Sequence, residues 1–447
     1  MTENPFFHRG PIHDPDYFYN REAEVKQVLE MVHKRQSVAI VGPRKIGKTS
    51  LLLYISHPEV AQRVLGQDRY LFMYFSCESV GDLGLEGLFA LILGQVTDGA
   101  ARLGYHLPIP ERPVSFLDFR QVLRGISGRD KELNVVLLLD EFELLTRNRE
   151  LSERLFPGLR ALAQESVVTY LVVSQRPLTQ CTDEYSPFFN IFSQLPLPLC
   201  HTSGGQQLIE RTLSKVGGSF LPETYDGILE LGGGHPFFLQ VVGYWALELQ
   251  TTKGAPLSRE DFRTLTRKVQ SEVEGHLKYS WSHLAPDEQY VLTALPVAQN
   301  EVAYQEQLKA LSALCLIVKE GERYRYFSPL FRDFVRRQKV PNILQAGPFV
   351  LVLPLQRALL REKPLPLSPR LFAFLSYLVE HPGRVVSNEE LDREVLALPE
   401  ERQQYQYMGD DRLKSTIREL RRALGEEADR IVNKWGVGYT LEIQPEE

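Results

Sequence analysis

Residues 42–49, Gly-Pro-Arg-Lys-Ile-Gly-Lys-Thr, fit the phosphate-loop pattern G-x-x-x-x-G-K-[ST] at every fixed position, and the apolar run Val38 to Val41 ahead of them reads as a buried strand. Gly42 and Gly47 let backbone N–H groups curl round phosphate oxygens, with Pro43, Arg44 and Lys45 carried on the loop between them. Lys48 offers a point charge to the β/γ oxygens, and the Thr49 hydroxyl is a ligand for Mg²⁺. Ser50 and Leu51 to Leu53 open the next helix, whose positive end faces the anion. The expected ligand is a nucleoside triphosphate, ATP or ADP with Mg²⁺.

A second group of chemical residues follows the apolar run Val135 to Leu139. Asp140 and Glu141 put two carboxylates at the C-terminal end of a buried strand, where open α/β sheets place their ligands. Asp140 is the candidate metal residue beside Thr49, and Glu141 the candidate to orient or deprotonate an attacking water. A strand ending in solvated acids has the same appearance; the phosphate loop favours the catalytic reading. Val167 to Val173 runs into Ser174, Gln175 and Arg176, so a polar cluster arrives at the same sheet edge, with Arg176 the candidate phosphate sensor and a surface ion pair its alternative.

Positioning these groups requires a sheet. Apolar strand patterns at Tyr70 to Phe75, Val135 to Leu139, Val167 to Val173 and Leu195 to Leu199 alternate with helical ones such as Leu151 to Ala163, which predicts a parallel sheet flanked by helices. At 447 residues the chain is too long for one core, so two to four domains are expected. Net charge is −6, which argues against coating nucleic acid or an anionic membrane through bulk charge, so any DNA contact must be local. Cys77, Cys181, Cys200 and Cys315 lack C-x-x-C spacing and read as reduced core residues. The first residues carry no basic segment followed by an apolar stretch, and no run reaches membrane-span length; a cytoplasmic location and no membrane partner are expected.

Near the other end, Leu413, Ile417, Leu420 and Leu424 fall on one helical stripe, and Gly425 supplies the stop. Ser415, Arg418 and Arg422 lie opposite, flanked by Lys414 and Arg421. A helix anchored by one face and cationic on the other suits a major groove, although a solvated basic face has the same pattern.

Residues 5 to 340 resemble the STAND branch of the AAA+-like ATPases and the related archaeal-type ATPases. The likeness rests on Phe18-Tyr-Asn-Arg-Glu-Ala-Glu24, Gly42 to Thr49, Leu139-Asp140-Glu141, Ser174 to Arg176 and Gly233-Gly-His-Pro-Phe-Phe-Leu239. It implies that Asn20, standing where the family has glycine, and Arg21 lie against adenine and ribose, and that His235 and Pro236 of a helical lid touch the nucleotide. Helix patterns from Asp287 and Tyr304, a turn at Glu320-Gly321-Glu322 and a closing helix from Pro329 suit a winged helix, which the resemblance makes regulatory; Arg336, Arg337 and Lys339 leave DNA contact open.

The C-terminal segments His381 to Leu391, Leu413 to Leu424 and Ile431-Val-Asn-Lys-Trp-Gly-Val-Gly-Tyr-Thr-Leu441 resemble, in order, the helix-turn, recognition helix and wing of OmpR/PhoB-type transcription factors. Trp435 stands in place of the usual wing arginine, Thr440 in place of another basic residue and Leu396 in place of a tryptophan. The resemblance implies double-stranded DNA as partner, with Lys414, Ser415, Arg418, Arg421, Arg422, Lys434 and Trp435 at the contact. An ATPase takes the place of that family's receiver domain.

The expected architecture is multidomain, α/β plus α+β. A P-loop ATPase core (1–200) and helical lid (201–275) precede a winged-helix regulatory domain (276–343), and a winged-helix DNA-binding domain (347–447) closes the order. The expected function is an ATP/ADP-switched STAND-type transcription regulator that oligomerises on activation, hydrolyses ATP slowly and answers to an unidentified signal or partner protein. A DNA-localised ATP-hydrolysing machine (loader, remodeller or defence ATPase) and a scaffold with a vestigial nucleotide site are the alternatives.

Overall fold

The computed structural model describes residues 4–6, 10–66, 70–80, 84–102, 104, 115–129, 132–147, 149–180, 186–299, 301–397 and 411–443. The chain divides into two compact units, the first comprising residues 1–280, 313–315 and 327–330 and the second 281–312, 316–326 and 331–447.

The first unit is built on a parallel five-stranded sheet of β1 (Ser37–Val41), β2 (Tyr70–Ser76), β3 (Asn134–Asp140), β4 (Thr169–Ser174) and β5 (Phe192–Pro196), ordered β2-β3-β4-β1-β5. Both faces are covered, as the continuous apolar strands require. Ala39, Leu71, Met73, Val135, Leu137 and Val172 belong to one core, and Val38, Ile40, Val136, Leu138, Leu171 and Val173 to the other. β1, β3 and β4 are wholly buried. The order brings the end of β1, which carries the phosphate loop, next to the end of β4, and β4 next to the carboxylates that close β3. β5 lies earlier than the expected Leu195 to Leu199; the Leu197 N–H still donates to the Val41 carbonyl at 2.7 Å, and Pro198 has no N–H to carry the ladder on.

Four helices follow: Thr202–Ser214, Pro222–Gly232, Pro236–Lys253 and Arg259–Ser282. The turn between the second and third requires glycine. Gly233 has φ of +56°, and a Cβ there would lie 1.9 Å from the Phe327 carbonyl oxygen; Gly234 has φ of +74°, and a Cβ there would lie 2.5 Å from the Cys200 carbonyl oxygen.

In the second unit, the helix Pro286–Thr293 precedes an antiparallel pair, Ile317–Glu320 with Arg323–Tyr326. A four-stranded antiparallel meander then runs through Ile343–Ala346, Phe349–Val352, Arg357–Leu360 and Lys363–Leu365. Its first strand begins ahead of the boundary expected at residue 347, since Ile343 and Ala346 are buried against the sheet that follows. The helices Pro369–Glu380 and Asp411–Leu424 and a three-stranded sheet (Val386–Ser387, Gly438–Leu441, Ile431–Lys434) complete it. One core unites Phe349, Phe374, Leu375, Leu391, Leu413, Ile417, Leu420 and Leu441. Among the described residues, no helix is long and apolar enough to cross a membrane.

Candidate nucleotide site and DNA-reading helix

The phosphate loop is held by close packing. A Cβ on Gly42 would meet Ile46 Cγ2 at 3.1 Å and the Leu197 carbonyl at 3.3 Å, and Gly47 takes φ of +103° immediately before the helix Lys48–Ser56. The Gly42 N–H donates to Ser174 at the end of β4 (3.2 Å), and Lys48 Nζ donates to the carbonyls of Gly42 and Pro43, both at 2.8 Å. Burial lowers the Lys48 pKa to about 8 despite the opposing charges of Glu143, Asp140 and Glu141.

A cavity of about 240 Å³ opens against this loop. Arg44, Lys45, Gly47, Lys48, Thr49 and Ser50 form one wall, with Asp140, Glu141, Glu143 and Gln175 at the strand ends. Opposite lie Pro236, Phe237 and Gln240 from the helix Pro236–Lys253 and Ile12, Phe18 and Tyr19 from the N-terminal segment. Ser50 Oγ accepts the Ile12 N–H at 3.0 Å, which ties that segment to the start of the loop's helix. Tyr74 Oη donates to Asp140 Oδ2 at 2.9 Å while the Glu141 N–H donates to Oδ1 at 3.0 Å, so Asp140 is fixed with acceptor capacity left. Glu141 takes φ of +52°, and burial, reinforced by a hydrogen-bonded Glu78, raises its pKa to about 7.

The donor set fits a Mg²⁺-nucleotide. It offers a helix N-terminus, a half-buried lysine, a hydroxyl beside a fixed carboxylate and, among the cavity-lining residues, three buried polar atoms without partners: Tyr19 Oη, Glu143 Oε2 and Gln240 Oε1.

Several expected residues stand back from the cavity. Asn20 does not line it; the residue takes φ of +62°, a conformation asparagine tolerates where the family has glycine, and its side chain abuts Gly204. Arg21 lines the cavity, but its guanidinium is committed to Glu24 Oε1 at 2.8 Å and the Pro198 carbonyl at 2.7 Å. His235 is buried behind Pro236, packed with Phe238, His276 and Phe327 at centroid distances of 5.1, 5.7 and 5.8 Å. Arg176 is outside the lining too, with Gln175 in its place; the Arg176 carbonyl accepts Ser174 Oγ at 2.7 Å. Sequence patterns missed Glu143, which opens a one-turn helix two residues past the Asp-Glu pair, and Gln240, one helical turn beyond Pro236.

In the second unit, the helix Asp411–Leu424 buries Leu413, Thr416, Ile417, Leu420 and Leu424 and exposes Lys414, Ser415, Arg418 and Arg422. Arg421 departs from its expected place: it is half-buried and donates to the Ile431 carbonyl, where the wing begins. The wing tip exposes Trp435 (89%) and Val437 (56%), while Lys434 Nζ pairs with Glu442 at 3.1 Å. Thr440 is buried in the hairpin. Arg336 pairs with Glu362 at 3.0 Å, and Arg337 Nε donates to the Asp333 carbonyl at 3.1 Å, which gives both structural partners.

A P-loop ATPase core followed by a winged-helix reader is the class that this fold and site define. Residues 11–309 match the family model Novel STAND NTPase 1, and residues 362–441 match Transcriptional regulatory protein, C terminal. The chain belongs to the Novel STAND NTPase 1 family and carries an OmpR/PhoB-type DNA-binding domain. It is 27% identical over 154 residues to Regulatory protein VanR of Enterococcus faecium, an alignment that covers 34% of this chain and 62% of VanR. Among solved structures, a Walker-type ATPase of Pyrococcus abyssi is 16% identical with a TM-score of 0.55, over 74% of this chain and 99% of that one. The ORC2 protein of Aeropyrum pernix is 16% identical with a TM-score of 0.49, over 74% and 96%.

Proposed function

We propose that this protein is an ATP/ADP-switched transcription regulator, in which occupancy of the cavity at Lys48 governs whether the helix Asp411–Leu424 is available to DNA. The observation that carries this reading is that one cavity gathers Lys48, Thr49, Asp140, Glu141 and the lid residue Pro236 in a chain whose C-terminal domain is that of transcriptional regulators.

In this reading the backbone from Gly42 to Ser50 cradles the phosphates and Lys48 exchanges its loop carbonyls for terminal-phosphate oxygens. Thr49 and Asp140 would hold Mg²⁺, which supplies charge neutralisation between the β- and γ-phosphates. Glu141 orients the hydrolytic water, and a pKa raised to about 7 matches it to accept that water's proton near neutral pH; hydrolysis is slow and serves as a timer. Gln175 faces the terminal phosphate, and Arg176, the residue after it, would have to turn toward the cavity to act as a sensor. Asn20, Arg21 and His235 act behind the base pocket as supports for Phe18, Tyr19 and Pro236. At the DNA, Lys414, Ser415, Arg418 and Arg422 face the groove, Lys434 and Trp435 approach the backbone from the wing, and Arg421 braces the hairpin. Activation assembles an oligomer, which links weak readers and raises their joint affinity.

Genome-wide DNA occupancy of the wild type beside Lys48→Ala and Arg418→Ala tests both halves. Each variant is expected to lose sequence-selective occupancy; identical profiles for all three would contradict the proposal.

A further inference from the structure

Tyr279, on the lid helix Arg259–Ser282, touches two parts of the nucleotide site at once. Its hydroxyl accepts a hydrogen bond from Gln175 Nε2 at 3.2 Å, and the Arg44 guanidinium carbon sits 4.6 Å from the centre of its ring. Gln175 is the residue that follows β4, and its side chain also bonds Glu143, the carboxylate with the largest electrostatic effect on Lys48. Tyr279 is therefore linked through Gln175 to Glu143, whose charge acts on Lys48, and it returns to the loop through Arg44. A second lid residue holds the loop in the same manner: Lys45 Nζ lies 4.0 Å above the Phe237 ring. The first unit gives way to the second after Ser280, one residue past Tyr279.

We propose that Tyr279 is the positioning residue through which the lid registers the terminal phosphate, by orienting the Gln175 amide with its hydroxyl and steadying Arg44 with its ring. Glu143 and Gln175 lie at the strand ends beside the lysine that meets the last phosphate, so their arrangement differs between a triphosphate and a diphosphate. Tyr279 carries that difference to the end of the helix from which the chain leaves the first unit. A phenol suits the task because the hydroxyl and the ring serve separate partners, which allows them to be removed one at a time.

This inference rests on the reading of the cavity as a nucleotide site. The test is calorimetric titration of the full chain, in Mg²⁺, with ATPγS and with ADP, for wild type, Tyr279→Phe, Gln175→Leu and the double variant. Tyr279→Phe keeps the ring and volume and removes only the hydroxyl. Loss of one hydrogen bond is expected to lower the ratio of ATPγS to ADP affinity by about fivefold in each single variant. The double variant should fall no further than the larger single loss, because both changes remove the same bond. A merely structural role would instead weaken both nucleotides together and leave the ratio unchanged. A ratio within about twofold of wild type in Tyr279→Phe, or additive losses in the double variant, overturns the proposal. Wild-type protein that binds neither nucleotide overturns the nucleotide reading itself, and the role of Tyr279 with it.

Discussion

His235 and His276 meet edge to face with ring centres 5.7 Å apart, and three ring nitrogens, Nδ1 and Nε2 of His235 and Nδ1 of His276, are buried without a hydrogen-bond partner. Burial, then the charges of Lys45, Arg44 and Lys48, lowers the His276 pKa to about 4; burial and His276 also push His235 well below its ordinary range. The unfolded chain binds protons from about pH 6.5 downward while the folded one refuses them until about pH 4. The depressed histidine therefore contributes stability in full above pH 6.5, and that contribution drains away as pH falls toward 4. Its size is on the order of 3 kcal/mol. Relative to His276→Gln, the wild type should lose thermal midpoint as pH falls from 7.5 to 5; a difference that does not change with pH would contradict the assignment. Of the pair, only His235 was legible in the sequence, through the Gly-Gly-His-Pro motif, and its burial behind Pro236 was not. Periodicity can mark a buried face, but it cannot tell a residue that lines a cavity from one that backs it. Glu143 and Gln240 show the converse, since each lines the cavity near the start of its helix, a placement that residue spacing does not fix.

At the level of elements, the helix Asp411–Leu424 separates its two arginine roles by face. Arg418 is exposed, whereas Arg421 is half-buried and bonded to the Ile431 carbonyl. Arg418→Ala is expected to weaken DNA binding with an unchanged thermal midpoint, and either to flatten the salt dependence or to relax base preference. Arg421→Ala should destabilise the reader by about 1 to 2 kcal/mol through the lost charged hydrogen bond, and so displace the wing. Denaturation and fluorescence anisotropy on operator DNA separate the two; equal effects of both variants on stability would refute the division. The sequence placed Arg421 on the flank because a stripe of leucines defines a helix axis but says nothing of the hairpin packed beside it. The sheet of the first unit was far more legible: runs such as Val-Val-Leu-Leu-Leu-Asp can be satisfied only by a strand covered on both faces. The strand Ile343–Ala346 was obscured by Lys339-Val-Pro-Asn, whose proline and asparagine signal a linker one residue ahead of it.

On the scale of the whole molecule, a phosphate-loop site in the first unit is proposed to govern a DNA-reading helix in the second. Moving such a switch from about 1:99 to 99:1 takes roughly 5.5 kcal/mol of differential binding, which several charged contacts to one terminal phosphate can supply. A chain of net charge −6 gains little from bulk attraction to DNA, so a lone reader should bind weakly and an assembled one well. The most direct measurement is the affinity of the purified full chain for a selected DNA site, at fixed salt, with saturating ADP and then with saturating Mg²⁺ and ATPγS. Binding is expected to be at least about tenfold tighter with the triphosphate, a difference abolished by Lys48→Ala. Equal affinity in the two nucleotides, or a difference that survives Lys48→Ala, would contradict the proposed switch.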